Sequence, residues 1–563
     1  MSTLDPRQST RQFLQRWLPF LNWPRPDHAL LVTEALAAIT VAVVMIPQSV
    51  AYAGLAGMPL VTGLYACFLP MLVAVLFGQS TRLSVGPAAL SCVLVAASLT
   101  GLAEPGSAQW VLLAVWLSLL SGLLQIAVGS FGAAWMLNLV SSPVLAGFTQ
   151  AAALLIIASQ LPALLGLGGS LSTLWQAPAL SPETLVYGLG SLALFETCKR
   201  VAPRVPIMLI VLVISAIVSA STGYAARGAV IGALPVGLPS LYVPEWPNAS
   251  LLASLLAPAL VIALVSSLEM TSSAKIENQR DGKRWNANQD LIGQGLAKIA
   301  SGLSGSFPTS TSFSRSALTL RAGARTGWST VIATAVILVA ILLLTPYLYH
   351  VPSAVLAAIV ATAVLGLVKP AVFISLWRLH RIEALIALAT FAATLASAPR
   401  IYWGVLTGVG LGLAHFLLHR LHPRIIEAGL HPDGSLRDRH LWKLPPLAAD
   451  TFAVRMDDAL DFASASALEA AVSEHLALHP GVRHVCLFAQ PINRIDATGV
   501  EVFGQLRRQL ASRGVTMHIS GIKLPVETML RRAGELPEGP HLKMYRTDRE
   551  AIESLAAIAP RAA

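Results

Sequence analysis

Long apolar blocks fill the chain from Leu31 to about residue 420, and mixed polar and apolar positions return only from Leu421 onward. Fourteen windows can be marked in the apolar part: 29–50, 59–77, 84–99, 109–129, 139–161, 183–200, 205–221, 251–273, 289–304, 311–321, 327–345, 353–367, 382–398 and 401–419. A helix needs roughly 20 apolar residues to cross a bilayer. The pattern therefore predicts a polytopic α-helical membrane protein with about 14 transmembrane segments. From Thr451 the period changes. Short β-type runs at 452–456, 482–488 and 515–520 alternate with helical stretches at 464–479, 498–512 and 524–533, as in a small α/β domain. The expected division is an N-terminal segment over 1–28, a membrane domain over 29–420, a linker over 421–450 and an α/β domain over 451–563.

Charge supports this division. Only 12% of the 563 residues are charged, about half the usual share of a soluble protein. Between Leu31 and Met270 the charged side chains are Glu34, Arg82, Glu104, Glu183, Glu196, Lys199, Arg200, Arg204, Arg227, Glu245 and Glu269, too few to clothe a water-facing surface. The net charge of +10 would suggest nucleic acid in a soluble protein, but no base-reading motif is present and none is expected as a partner. Its distribution fits a membrane orientation instead. With the N-terminus inside, the inner loops hold Arg82, Lys199, Arg200, Arg204, Lys275, Arg280, Lys283, Arg284, Arg321, Arg325, Lys369, Arg378 and Arg381. The outer loops hold only Arg227 and Arg400. Thirteen against two supports an even number of crossings, with both termini and the α/β domain cytosolic. The N-terminus is basic (Arg7, Arg11, Arg16, Arg25) and lacks a small-residue cleavage site, so the first span is expected to act as the insertion signal. The four cysteines, Cys67, Cys92, Cys198 and Cys486, share no metal-ligand spacing. Neither a disulfide, a metal site nor a cofactor is implied.

Two segments are too short and too polar to span: Ser84-Val-Gly-Pro-Ala-Ala-Leu-Ser91 and Phe307-Pro-Thr-Ser-Thr-Ser-Phe-Ser-Arg-Ser316. Each sets Gly or Pro and hydroxyl residues before a helical run, as at a helix start. Their matched places in two halves of seven windows point to an inverted repeat. Two half-helix N-termini then face each other, each with free N–H groups and the positive end of a helix dipole. Pro-kinked helices with Ser and Thr turned toward neighbours are the alternative.

Several motifs resemble the SulP family of sulfate permeases, bicarbonate and dicarboxylate transporters and the motor protein prestin. These are Ile46-Pro-Gln-Ser-Val-Ala-Tyr-Ala53, Gly63-Leu-Tyr65, Phe77-Gly-Gln-Ser-Thr-Arg-Leu-Ser-Val-Gly-Pro87, Pro143-Val-Leu-Ala-Gly-Phe-Thr149, Asn288-Gln289, Gly293-Gln294-Gly295, Ser312-Phe-Ser-Arg-Ser-Ala317 and Gly323-Ala-Arg-Thr326. The resemblance runs from about Leu14 to Leu555. It implies a homodimer and a core-and-gate architecture with elevator-like movement. It also marks the end of the chain as similar to a STAS domain. Two departures stand out: Thr81 intervenes before Arg82 in the signature, and Ala88 stands where some relatives carry an aromatic residue, which implies a roomier site.

Arg315 opens the tenth window; a buried arginine marks either an anion site or a structural ion pair, here with Glu269. The resemblance places Glu269 beside the substrate as a coupling group for a proton. A sodium ion helped by Thr271 and Ser272 is the other option. Gln48 and Tyr52 share one helix face, and the resemblance sets them against the anion; interhelical hydrogen bonding is their alternative role. The hydroxyls of Ser312 and Ser314, which flank Phe313, can donate to oxyanion oxygens. Glu34 reads as an interfacial or first-turn acid without a site role. In the α/β domain Asp496 reads as a helix cap. Thr498, in a turn that accepts phosphate in signalling relatives, is a regulatory candidate.

The expected function is secondary active transport of a small anion across the cytoplasmic membrane. Sulfate with protons comes first; bicarbonate, dicarboxylates, sodium coupling, exchange or a channel are alternatives. A membrane-tethered signalling scaffold and a nucleobase permease compete less well, the latter because Arg315 favours an anion. No nucleophile–base pair or metal cluster stands out, so an enzyme is not expected.

Overall fold

The computed structural model describes residues 18–167, 181–202, 205–537 and 539–558. Arg7, Arg11, Arg16 and Arg204 lie outside the described residues. The chain divides after Gly412 into two units.

In the first unit each apolar window holds a helix. In order these are α1 (His28–Leu55), α2 (Val61–Phe77), strand β1 (Val85–Gly86) leading into α3 (Ala89–Leu99), α4 (Ala108–Ser130), α5 (Ser142–Leu165), α6 (Pro182–Val201) and α7 (Ile207–Thr222). Then come α8 (Ala249–Asp281), α9 (Ala287–Leu303), β2 (Ser310–Thr311) leading into α10 (Phe313–Arg321), α11 (Trp328–Val339), α12 (Ser353–Leu365), α13 (Ala371–Leu379), α14 (Arg381–Ala396) and α15 (Tyr402–Leu421). The sequence long helix, helix, two-residue strand, half-helix thus occurs twice. The short α13 is an addition to the expected set.

Side-chain caps fix several starts: Asp27 accepts from Leu30 N at 2.7 Å, and Ser107 from Trp110 N at 3.1 Å. Large apolar residues such as Leu36 (64% exposed) and Val186 (73%) line the outside. A water-facing surface does not carry so many; lipid is their solvent, as expected of a polytopic membrane protein. The helices pack in two groups. α1–α4 pack with α8–α11, and α5, α6 and α7 with α12 and α14. α4 crosses α9 at backbone contact. A Cβ on Gly122 would lie 2.7 Å from Gly295 O, and one on Gly295 2.6 Å from Gly122 O, so only glycine fits at either place.

The second unit is one six-stranded sheet of order β4-β3-β5-β6-β7-β8, where β3 is Ile425–Leu430, β4 Leu436–Asp438, β5 Thr451–Met456, β6 His484–Phe488, β7 Thr516–Ser520 and β8 Leu542–Tyr545. β5 to β8 are parallel, and β3 joins β5 antiparallel with Ile425 opposite Met456. The helices are α16 (Arg439–Trp442), α17 (Ala465–Leu478), α18 (Ala497–Ser512), α19 (Leu524–Arg532) and α20 (Asp548–Ile558). The three expected strands and three expected helices are all found. The stretch 421–450 is not a linker. It forms the β3–β4 hairpin, turned at Asp433-Gly434, and completes the sheet edge.

Candidate functional site

The two polar segments meet. Val85 pairs with Thr311 and Gly86 with Ser310 in an antiparallel ladder. Ser312 N donates to Ser84 O at 3.0 Å, and Ser84 N to Ser316 Oγ at 3.0 Å. α3 and α10, of 11 and 9 residues, rise about 1.5 Å per residue and are too short to cross a bilayer core of about 30 Å. They start side by side at this ladder. The first N–H groups of each helix have no acceptor within the helix. Ala88 caps α3 without a side-chain oxygen, while Ser312 Oγ accepts from Arg315 N at 3.5 Å. Ser91, in the first turn of α3, is buried with its hydroxyl unpartnered among the described residues.

Arg315 is 1% exposed. Its Nη2 donates to Pro87 O at 2.8 Å and its Nε to Ser84 Oγ at 3.2 Å. The ion pair with Glu269, one of the two sequence readings, is not formed: the guanidinium reaches across to the first half-helix instead. Glu269, from α8, accepts a hydrogen bond from the Ser310 hydroxyl on β2. The charged groups thus hold the ladder from two sides. Tyr52 and Gln48 are buried on one face of α1. Tyr52 lies within electrostatic reach of Arg315 and Glu269. Gln48 Nε2 approaches Met208 Sδ at 3.8 Å, and its Oε1 is buried without a partner among the described residues. Phe313 and Ser314 are exposed, on the other side of α10 from Arg315, with Ser314 Oγ 3.3 Å from Ser312 Oγ. Thr271 Oγ1 is buried and unpartnered among the described residues, whereas Ser272 is exposed and donates to Leu268 O at 2.9 Å.

Lys298 was not singled out from the sequence. It is the one charged residue between Asp290 and Arg315, and it is fully buried. Its Nζ donates to Gln125 Oε1 and to Ser266 Oγ, each at 2.8 Å. A lone lysine inside an apolar window was the available signal.

The signature loop before β1 is clamped by acids. Asp290 accepts from Gln79 N, Ser80 N, Ser80 Oγ and Trp285 Nε1 at 2.6–2.9 Å. Glu277 accepts from Thr81 N at 2.9 Å, and Arg82 bonds Glu277 and Asp281. Glu34 corrects the sequence reading. It is fully buried in the second turn of α1 and accepts from Arg325 N (3.0 Å), Thr326 N (2.8 Å) and Thr326 Oγ1 (2.9 Å). It ties the first helix to the α10–α11 loop.

In the second unit Asp496 caps α18 through Gly499 N at 2.8 Å, and its other oxygen accepts from Phe462 N at 3.0 Å. Both oxygens are engaged, and Thr498 is exposed beside them. A buried polar chain crosses the sheet: His484 Nδ1 to His518 Nε2 (3.1 Å), His518 Nδ1 to Tyr545 Oη (3.1 Å) and Tyr545 Oη to Ser554 Oγ (2.8 Å).

Comparison with known proteins agrees with this architecture. The family model described as "Sulfate permease family" matches residues 31–390, and the STAS domain model matches residues 447–551. A "Probable sulfate transporter" of Mycobacterium tuberculosis is 32% identical, covering 93% of each chain. A chloroplastic sulfate transporter of Arabidopsis thaliana is 30% identical, covering 92% of this chain and 78% of its own. The "Sodium-independent sulfate anion transporter" of Bos taurus is 28% identical, covering 92% and 88%. Among solved structures, the murine solute carrier 26 family member A9 anion transporter in the inward-facing state superposes with a TM-score of 0.87 at 19% identity, covering 99% of this chain and 96% of that one. The transmembrane domain of a cyanobacterium bicarbonate transporter gives 0.59 at 22% identity, covering 69% and 99%. At those identities the structures speak for the fold alone. The family match over residues 31–390, with 32% identity over nearly all of a curated relative, shows that this chain belongs to the sulfate permease family of anion transporters and ends in a STAS domain.

Proposed function

We propose that the protein carries sulfate across the cytoplasmic membrane together with protons. The observation behind this reading is the β1–β2 ladder, which sets the starts of α3 and α10 against each other beside Arg315 and the Glu269–Ser310 contact. Two helix N-termini and a guanidinium offer positive charge and N–H donors to a small oxyanion. Arg315 bonds the protein through Nε and Nη2, and the charge of the guanidinium acts on an anion at the ladder. Sulfate is preferred because the matched relatives from Mycobacterium, Arabidopsis and cattle are named as sulfate transporters. Proton coupling is preferred over sodium because Ser272 is turned outward and bonded to Leu268 O. Of the two hydroxyls that would help to hold sodium, that leaves Thr271 Oγ1 alone. The two helix groups supply the bodies for elevator-type movement: α1–α4 with α8–α11 would carry the ladder, and the others would frame it.

The test is uptake into proteoliposomes of sulfate, bicarbonate and fumarate under an imposed proton or sodium gradient. Sulfate accumulation driven by inward protons at zero sodium is the expected result. Accumulation of bicarbonate or fumarate in its place, or dependence on sodium at fixed pH, would replace this reading.

A further inference from the structure

Lys298 is a fully buried cation in the membrane unit with no carboxylate in contact among the described residues. A charge in that position is costly, and function is the usual reason for keeping it. Its surroundings are built to hold it. The Gly122–Gly295 crossing brings α4 and α9 to backbone contact, which lets the Lys298 side chain reach Gln125. Gln125 presents its oxygen to Lys298 and turns its nitrogen to Ala263 O, Ser266 Oγ and Ser267 Oγ at 2.8–3.1 Å. Ser266 Oγ accepts from both Lys298 and Gln125 and donates to Ala263 O at 3.1 Å. Every oxygen facing Nζ is therefore committed as an acceptor, as a fixed ammonium requires.

This cluster stands directly behind the ladder. One turn before Lys298, the Gln294 amide donates to Thr311 Oγ1 on β2. One turn beyond Ser266 on α8, Glu269 takes the Ser310 hydroxyl on the same strand. Lys298 and Glu269 lie within electrostatic reach of each other, and Glu269 and Arg315 likewise. The charged groups around the ladder are then Arg315 and Lys298, both positive, and Glu269. When Glu269 is ionised the net side-chain charge is one positive. When Glu269 carries a proton it is two positive.

We infer that Lys298 is the second fixed positive charge of the anion site, and that it makes the site select doubly charged over singly charged anions. The inference rests on the reading of the ladder as an anion site. With Glu269 protonated, a dianion matches the pair of cations and a monoanion leaves one of them unbalanced in a medium of low dielectric. Lys298 acts through its charge and its position and does not touch the anion.

The experiment compares anions of equal shape and unequal charge on the purified full-length protein. Sulfate is set against perchlorate, both tetrahedral, and fumarate against monomethyl fumarate, with binding followed by titration calorimetry. Lys298→Met is expected to weaken the dianion by about tenfold, the scale of losing one nearby charge, and the monoanion far less. Lys298→Arg is expected to restore the ratio. Because Lys298→Met removes a buried hydrogen-bonded group, Gln125→Glu serves as the second variant. It keeps the shape and the acceptor toward Lys298 and neutralises the lysine, giving up the amide donor to Ala263 O, so it should show the same selective loss. Equal weakening of both anions in either pair would mark Lys298 as purely structural. Unchanged selectivity in Gln125→Glu, or a wild type that takes only monoanions, also overturns the inference. If sulfate fails to bind and fumarate binds, the sulfate assignment falls and the fumarate pair decides the role of Lys298.

Discussion

The guanidinium of Arg315, from the second half of the membrane unit, donates to the carbonyl of Pro87 in the first half at 2.8 Å. Arg315 is thus a brace between the two half-helices as well as a source of charge. Arg315→Ala removes both, and about 1–3 kcal/mol of binding is at stake for a charged hydrogen bond. Arg315→Lys keeps the charge but cannot bond Pro87 and Ser84 together. The expected order of sulfate affinity in calorimetry is wild type, then lysine, then alanine, with alanine weaker by about tenfold or more. Equal loss in both variants, together with equal thermal destabilisation, would leave Arg315 with the bracing role alone.

Glu34 accepts three hydrogen bonds from Arg325 and Thr326. Glu34→Ala strands two buried backbone N–H groups, at about 1–3 kcal/mol each. Glu34→Gln keeps an acceptor and should lose less. The expected readout is a lower melting temperature in detergent, with faster tryptic cutting after Arg325, larger for alanine than for glutamine. Sulfate selectivity should be unaffected in both.

The half-helices were legible because Gly, Pro and hydroxyl residues interrupt apolar windows at matched places, and a bilayer leaves few other reasons for that. Arg315 and Glu269 were legible as charges where charge is expensive. Their partners were not, because pairing is decided in three dimensions: Arg315 finds carbonyl and hydroxyl oxygens of a loop 228 and 231 positions away. Lys298 was hidden for the same reason, since Gln125 lies 173 positions earlier. The β3–β4 hairpin carried a readable Asp433-Gly434 turn. It was passed over because Ile425–Leu430 is short and gains its burial only from β5, a long-range contact.

The Lys and Arg asymmetry implies a cytosolic second unit. Asp433 is exposed in the β3–β4 turn, its side chain 45% accessible. Of the native thiols, Cys67, Cys92 and Cys486 are buried and Cys198 half-buried, so Asp433→Cys belongs on a Cys198→Ser background. An impermeant maleimide should label it only after the cells are permeabilised. Labelling from outside intact cells would reverse the orientation.

His518 sits fully buried in β7. Burial, followed by the charges of His484 and Lys543, pulls its pKa down from 6.5 to about 4. The unfolded chain therefore binds a proton between those two values that the folded sheet refuses. Stability supplied by the neutral ring is full above pH 6.5 and is lost as pH falls toward 4. His475, also lowered by burial, adds to the same slope. The second unit has its own apolar core, so residues 421–563 can be studied alone by urea unfolding. The midpoint should fall steadily across that pH window, and His518→Gln should flatten the fall. A midpoint independent of pH in the unsubstituted unit would contradict the burial argument.

Glu269→Gln tests the coupling step. Glu269 is the one acid inside the apolar part of α8, and its carboxylate meets β2 through Ser310. An ionised carboxylate there repels an incoming anion, while a protonated one does not. Proton and anion therefore favour each other's binding, and the favour is reciprocal, as coupled uptake requires. Glutamine imitates the protonated acid in shape and charge, and its amide can still bond the Ser310 hydroxyl. The variant should bind sulfate at least as well as wild type above neutral pH and exchange labelled for unlabelled sulfate across the membrane. It should fail to concentrate sulfate when protons are driven inward. Two measurements on one preparation decide the matter: counterflow exchange, and net accumulation under a pH step of known size. Retained exchange with accumulation reduced to the background of empty liposomes is the expected pair. Accumulation equal to wild type would remove Glu269 from the coupling role. Loss of exchange as well would assign the residue to the anion path itself.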